Sequence, residues 1–149
     1  MIILKKSIGG LRKVSPAILA VVFAALQVAC GGSQKILSKH INEVKQIQIA
    51  CVMWAQDFGN RKYPDNLQKL LDDGTLTADR KDLLKWKTAE NEKGEPWLYY
   101  GKGLTTFDGD KILIASPKAI SGSRIIGLAN GSSALKVTEE EFQQRLAKQ

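Results

Sequence analysis

Histidine is nearly absent from this chain, which holds one, His40, in 149 residues. A single imidazole excludes a two-histidine metal site, and no nucleophile stands in evident partnership with it. Cysteine is almost as scarce. Cys30 and Cys51 are the only two, too few for a disulfide framework. If the segment between them is helical, a rise of about 1.5 Å per residue carries the two thiols far beyond bonding reach. The glycines do not compensate, because "GGSQK" and "GKG" lack the spacing of a phosphate-cradling loop. Acidic residues are missing from the first 29 positions, where Lys5, Lys6, Arg12 and Lys13 stand unopposed. Those four supply more than half of the formal net charge of +7, so the basicity belongs to the leader and calls for no nucleic acid. A long apolar run is lacking too. The uninterrupted stretch, residues 17–26, is ten residues long, against roughly 20 for a helix that crosses a bilayer.

What is present at the N-terminus is a basic head followed by Ala17, Ile18, Leu19, Val21, Val22, Phe23 and Leu26, the pattern of an export or membrane-targeting segment. It ends in "LQVACGGS", which resembles a bacterial lipoprotein leader: small Ala29 precedes Cys30, and small, flexible residues follow. Gln27 stands where such leaders carry an aliphatic residue. The resemblance implies a diacylglyceryl group on the Cys30 sulfur, with acyl chains holding the protein by about 0.8 kcal/mol per buried methylene. An uncleaved helical anchor and ordinary signal cleavage are the two other readings. The expected division is a signal or membrane-anchor segment with its tether, residues 1–33, and an extracytoplasmic domain, residues 34–149.

The second part has the size of one ordinary domain with a modest core. Leu37, Ile41, Val44, Ile47, Cys51, Trp54 and Phe58 recur every three or four residues, which predicts one face of a helix over residues 34–57. His40 reads as a surface residue of that helix, and Cys51 as a buried small apolar one. In "YPDNLQKLLDDG", Asp65 as cap, Leu67, Leu70 and Leu71 as stripe, and Gly74 as stop predict a short second helix. "WLYYG", "DKILIAS" and "SRIIGLANGSSALKV" read as strands, with Asn130 and Gly131 a hairpin turn. "VTEEEFQQRLAKQ" closes the chain as a helix capped by Thr138, with Phe142 and Leu146 facing inward. A long helix, a short helix, an antiparallel meander and a last helix make an α+β layout.

These residues carry a likeness. "EVKQIQIACVMWAQDFGNRKYPDNLQKLLDDGTLT" resembles the stretch after the membrane helix in major, G-type pseudopilins of bacterial type II secretion, through Trp54, Ala55, Gln56, Asp57, Tyr63, Pro64, Leu67, Leu70 and Leu71. The tail is similar to the closing pattern of pseudopilin-like proteins, at Leu128, Ala129, Asn130 and Gly131 and again over residues 138–142. The likeness covers residues 43–77 and 125–149, and implies a pilin-like fold in which a long N-terminal helix packs on a small antiparallel sheet. The chain departs from the family at its start. Ser15 stands where prepilins carry a glutamate, and Arg12 and Lys13 where they carry apolar residues, at about 2.5 to 3.5 kcal/mol per charge within a membrane.

Constellations for catalysis are not evident. Asp108 and Asp110 in "FDGD" fall far short of the six to eight oxygens calcium takes and read as turn residues. "ENEKGE" and "TEEE" read as solvated faces. Trp97, Tyr99 and Tyr100 form a candidate interaction surface, against the plainer reading that strand alternation buries at least one side. The function expected is therefore nonenzymatic, with no cofactor, metal or small-molecule substrate. The chain is expected in the cell envelope, tethered with its domain on the periplasmic side, as an accessory or repurposed component of a type II secretion or pilus-like system. Its expected partners are the membrane and proteins of such a system. The alternative is a stand-alone envelope lipoprotein that binds a small ligand or peptide on its sheet.

Overall fold

In the computed structural model the backbone is described for residues 16–149 and side-chain surroundings for residues 34–149. Lys5, Lys6, Arg12 and Lys13 lie outside the described residues, as do the side chains of Ala17, Ile18, Leu19, Val21, Val22, Phe23, Leu26 and Cys30. The chain divides into Met1–Gly32 and a compact unit, Ser33–Gln149. Helix α1 is assigned over Pro16–Asp57, and among the described residues no helix is long and apolar enough to cross a membrane. The compact unit is α+β with antiparallel sheets. After α1 come a single helical turn, α2 (Lys69–Asp72), a 3₁₀ segment (Ala78–Leu84), strands β1 (Lys85–Thr88), β2 (Asn91–Pro96), β3 (Leu98–Tyr99), β4 (Ile112–Ala115), β5 (Ser123–Leu128) and β6 (Ala134–Thr138), and helix α3 (Glu139–Ala147).

Strands β3 to β6 form one antiparallel meander in chain order, while β1 and β2 pair only with each other. The meander is covered on both faces, so β4 is buried throughout and reads as an unbroken apolar run. A register shift between Ile112 and Ile114 breaks the alternation of β4. Leu113 and Ile114 therefore both join the core beneath α1, while Ile112 and Ala115 join the core beneath α3. β5 alternates in the ordinary way, with Ile125 toward α1 and Ile126 and Leu128 toward α3.

The apolar stripe of α1 supplies Leu37, Val44, Ile47, Cys51 and Trp54 to the first core. It lies close against β5 at Gly127, where an added Cβ would stand 2.6 Å from Val44 Cγ1 and 2.8 Å from Gln48 Cδ. Gln48 sits within the stripe and is fully buried. Its Nε2 donates to the carbonyls of Leu128 (2.6 Å) and Ser133 (3.1 Å), tying the helix to the β5–β6 turn. In that turn Asn130 Oδ1 accepts from the amides of Ser132 and Ser133, and Gly131 takes the left-handed conformation, φ 76°, in keeping with the sequence expectation. Thr138 Oγ1 accepts from the Glu141 amide at 3.2 Å and caps α3 as expected. Phe142 is buried under the Arg124 guanidinium, 4.6 Å from its ring centre.

Three local expectations need correction. Phe58 does not join the packed face and is 57% exposed. Helix α1 ends at Asp57, and the chain leaves through Asn60 and Arg61, both at positive φ, so Phe58 lies only alongside the Trp54 ring. The second helix is one turn, and Asp65 does not cap it. Tyr63 is held by its amide on Leu104 and its hydroxyl on the Ala129 carbonyl, and the Pro64 carbonyl accepts from Tyr99. With its backbone pinned there the chain turns helical only at Lys69, whose amide donates to Asn66 Oδ1. Gly74, at φ 75°, does end the turn. Finally, most of "ENEKGE", read from the sequence as a solvated face, belongs to a paired strand. It is strand β2, half-exposed, whose Gly94 at φ 74° lies against Lys85 and Lys87 of β1.

Candidate functional site

His40 is the feature that the sequence reading placed wrongly. It is not on the helix surface but wholly buried. One turn of α1 after Leu37, it points beneath the β1–β2 hairpin, where Trp86 and Trp97 close over it with ring centres 5.6 and 6.0 Å from the imidazole. Its Nδ1 lies 2.7 Å from Glu43 Oε2. An ionised carboxylate can only accept, so the proton of this bond sits on Nδ1. Nε2 is enclosed and has no partner among the described residues, and Trp86 Nε1 is in the same position. Trp97 Nε1, by contrast, donates to the Leu83 carbonyl at 3.1 Å.

Beside this cluster lies a hollow of ≈ 340 Å³, lined by Ile36, Lys39, His40, Lys87, Thr88, Ala89 and Glu92. Lys39 Nζ is 3.7 Å from Glu43 Oε1, and Lys87 Nζ is 2.8 Å from Asp82 Oδ2. Both lysines are partly exposed. The signal for His40 was present in the sequence, because it falls on the same three-to-four-residue spacing as Leu37, Val44 and Ile47.

The candidate surface of Trp97, Tyr99 and Tyr100 is divided by the sheet. Trp97 is buried and Tyr99 half-buried in the core beneath α1, while Tyr100 packs against Phe142 in the core beneath α3. The three do not form one exposed row. Trp97 and Tyr99 do border an open groove of ≈ 620 Å³, together with Leu67, Leu71, Leu84 and Pro96.

Four other titratable groups are shifted by burial or by turn contacts. Burial pushes the Cys51 thiol up to about 12, partly offset by a hydrogen bond with Tyr99, in keeping with a packed rather than reactive cysteine. Burial likewise raises Tyr63 to about 12 and Tyr99 further. Asp108 is held down to about 2, chiefly by the hydrogen bond from Lys111 and then by the amide and hydroxyl of Thr105. Its oxygens are occupied as turn chemistry requires. Among the described residues no group of three or more His, Cys, Asp or Glu side chains is placed to hold a metal.

None of the protein-family models, curated proteins or solved structures compared with the chain matches it.

Proposed function

We infer that the chain is a nonenzymatic, membrane-tethered protein with a pseudopilin-like domain outside the cytoplasm, serving a type II secretion or pilus-like system as an accessory or repurposed component. The observation that carries this reading is the packing of one face of α1, from Leu37 to Trp54, across an antiparallel meander of four strands. That arrangement lets a helix serve both as the wall of a folded domain and as its connection to whatever lies N-terminal to it. The basic head, the short apolar run and Cys30 supply the tether, in the form of a lipid-modified cysteine. Because Ser15, Arg12 and Lys13 replace the usual prepilin residues, the role is beside a filament rather than within its membrane-buried bundle.

Deleting the gene in its native host and comparing the proteins released to the medium tests this role. Loss of a defined set of exported proteins, restored by the wild-type gene, supports it. An unchanged exported set, with no cross-link between the chain and any secretion or pilus component, overturns it. The second reading, a stand-alone envelope lipoprotein that binds a ligand, draws on the apolar groove bordered by Trp97 and Tyr99.

A further inference from the structure

The open groove of ≈ 620 Å³ takes its apolar lining from three stretches of chain: Leu67 and Leu71 in and just before α2, Leu84 of the 3₁₀ segment, and Pro96, Trp97 and Tyr99 from β2 into β3. The two aromatic side chains have only ring surface left to offer. Trp97 Nε1 is spent on the Leu83 carbonyl at 3.1 Å, and the Tyr99 hydroxyl on the Pro64 carbonyl at 2.8 Å. The polar side chains of the lining are Asn66, Gln68, Lys81 and Lys85. Asn66 Oδ1 accepts from the Lys69 amide and Gln68 Nε2 donates to Asp72. Lys81 and Lys85 are exposed and have no ion-pair partner among the described residues. No acidic side chain lines the groove. Of the acids on the neighbouring chain, Asp65 is exposed, Asp72 is held by Gln68, and Asp82 is bonded to Lys87 at 2.8 Å and senses Lys85 and Lys81 only through space. An added Cβ on Gly94, which also lines the groove, would stand 3.0 Å from Lys85 Cβ, so the root of that lysine is part of the wall. Such stems cover apolar surface while the ammonium reaches beyond it.

We propose that this groove binds an amphipathic carboxylate, a small molecule with an apolar body and one anionic head. The body lies along the leucines, Pro96 and the ring surfaces, where loss of apolar area from water supplies the affinity. The head meets the ammonium groups of Lys81 and Lys85. Two cations without an ion-pair partner, in a lining that holds no acid, favour an anionic head over a neutral or cationic one. The inference rests on the ligand-binding reading for its site and names the chemistry of the ligand. It does not depend on a secretion role.

The test uses the full chain held in amphipol, so that no free detergent competes, and a diazirine-bearing octanoate as the photo-crosslinking probe. Labelling is expected to saturate and to map by peptide mass spectrometry to residues 66–71 and 94–99. Octanoate should compete it away at least about tenfold better than octanol or octylammonium, which carry the same chain on a neutral and a cationic head. Lys81→Met with Lys85→Met, both at exposed positions, should fold and weaken competition by octanoate about tenfold while octanol competes as on wild type. That loss of preference is a change a misfolded chain does not produce. Labelling that fails to saturate, or that maps elsewhere, overturns the proposal together with the ligand-binding reading of the groove. Octanol or octylammonium competing as well as octanoate, or a double lysine variant that keeps the preference, overturns the carboxylate alone and leaves that reading standing. Labelling that falls as protein concentration rises and is indifferent to octanoate assigns the groove to a second copy of the chain, and also overturns the proposal.

Discussion

Gly127 shows how finely single positions are set. A methyl group there would meet Val44, Gln48 and Ile114 at 2.6 to 2.8 Å, between α1 and the sheet. Gly127→Ala is expected to cost about 1 to 3 kcal/mol in chemical denaturation, as overpacked cores do. Cys51 gives a kinetic counterpart. Its thiolate is disfavoured up to about pH 12 and its sulfur is enclosed, so a thiol reagent should label it only through opening of the domain. Labelling in native buffer as fast as in denaturant would place it at the surface. Asp108 sets an acid limit. Its folded value lies below the ordinary carboxylate value of 3.8, so its contribution is complete above that value and fades as pH falls toward about 2. Amide shifts of Thr105 followed by NMR should move across that window, and Asp108→Asn should abolish the movement. Periodicity made Cys51 legible as core. The identical periodicity did not suffice for His40, because a lone imidazole is neutral between core and surface until Trp86 and Trp97 are known to close over it.

Among elements, α1 was the most legible, since its stripe repeats over six turns and one face must be covered. Trp54→Ala is expected to cost about 3 to 5 kcal/mol, the range for large aromatic truncations in cores. It also strips Asp73 of the indole hydrogen bond, 2.8 Å long. A loss below about 1 kcal/mol would contradict the packing of α1 on the sheet. The cap of α3 was equally readable from Thr138 and the glutamates behind it. Thr138→Ala should cost about 1 kcal/mol, seen as a lowered melting temperature with the fold kept. The β1–β2 hairpin was not legible. Lys85, Lys87, Glu92, Lys93 and Glu95 look like a solvated run, because a two-stranded ribbon buries few of its side chains. Only Trp86, and Trp97 just beyond β2, anchor it to the core. Phe58 failed the other way, since extending the stripe by one step ignores the end of α1 and the positive-φ turn through Asn60 and Arg61.

At the scale of the molecule, a small α+β unit of one helix across a meander, with α3 sealing the far face, follows a sequence that has a basic head, a short apolar run and Cys30. The mixed fold class was readable from the switch between helical and alternating apolar spacing. The proposed pilin-like role rests on the likeness read in residues 43–77 and 125–149 and on the packing of α1 against the sheet. The proposed tether, on which that reading depends, is tested most directly by the mass of the mature N-terminus. The chain would be expressed in a bacterium that processes its own lipoproteins, with labelled fatty acid supplied, and recovered from separated membrane and soluble fractions. A lipid tether at Cys30 requires a membrane-bound chain that begins at Cys30 and carries the label, both lost in Cys30→Ser, which should keep its full leader. Recovery of wild type from the soluble fraction, beginning at Met1 and unlabelled, would contradict the tether and with it the proposed place of the protein.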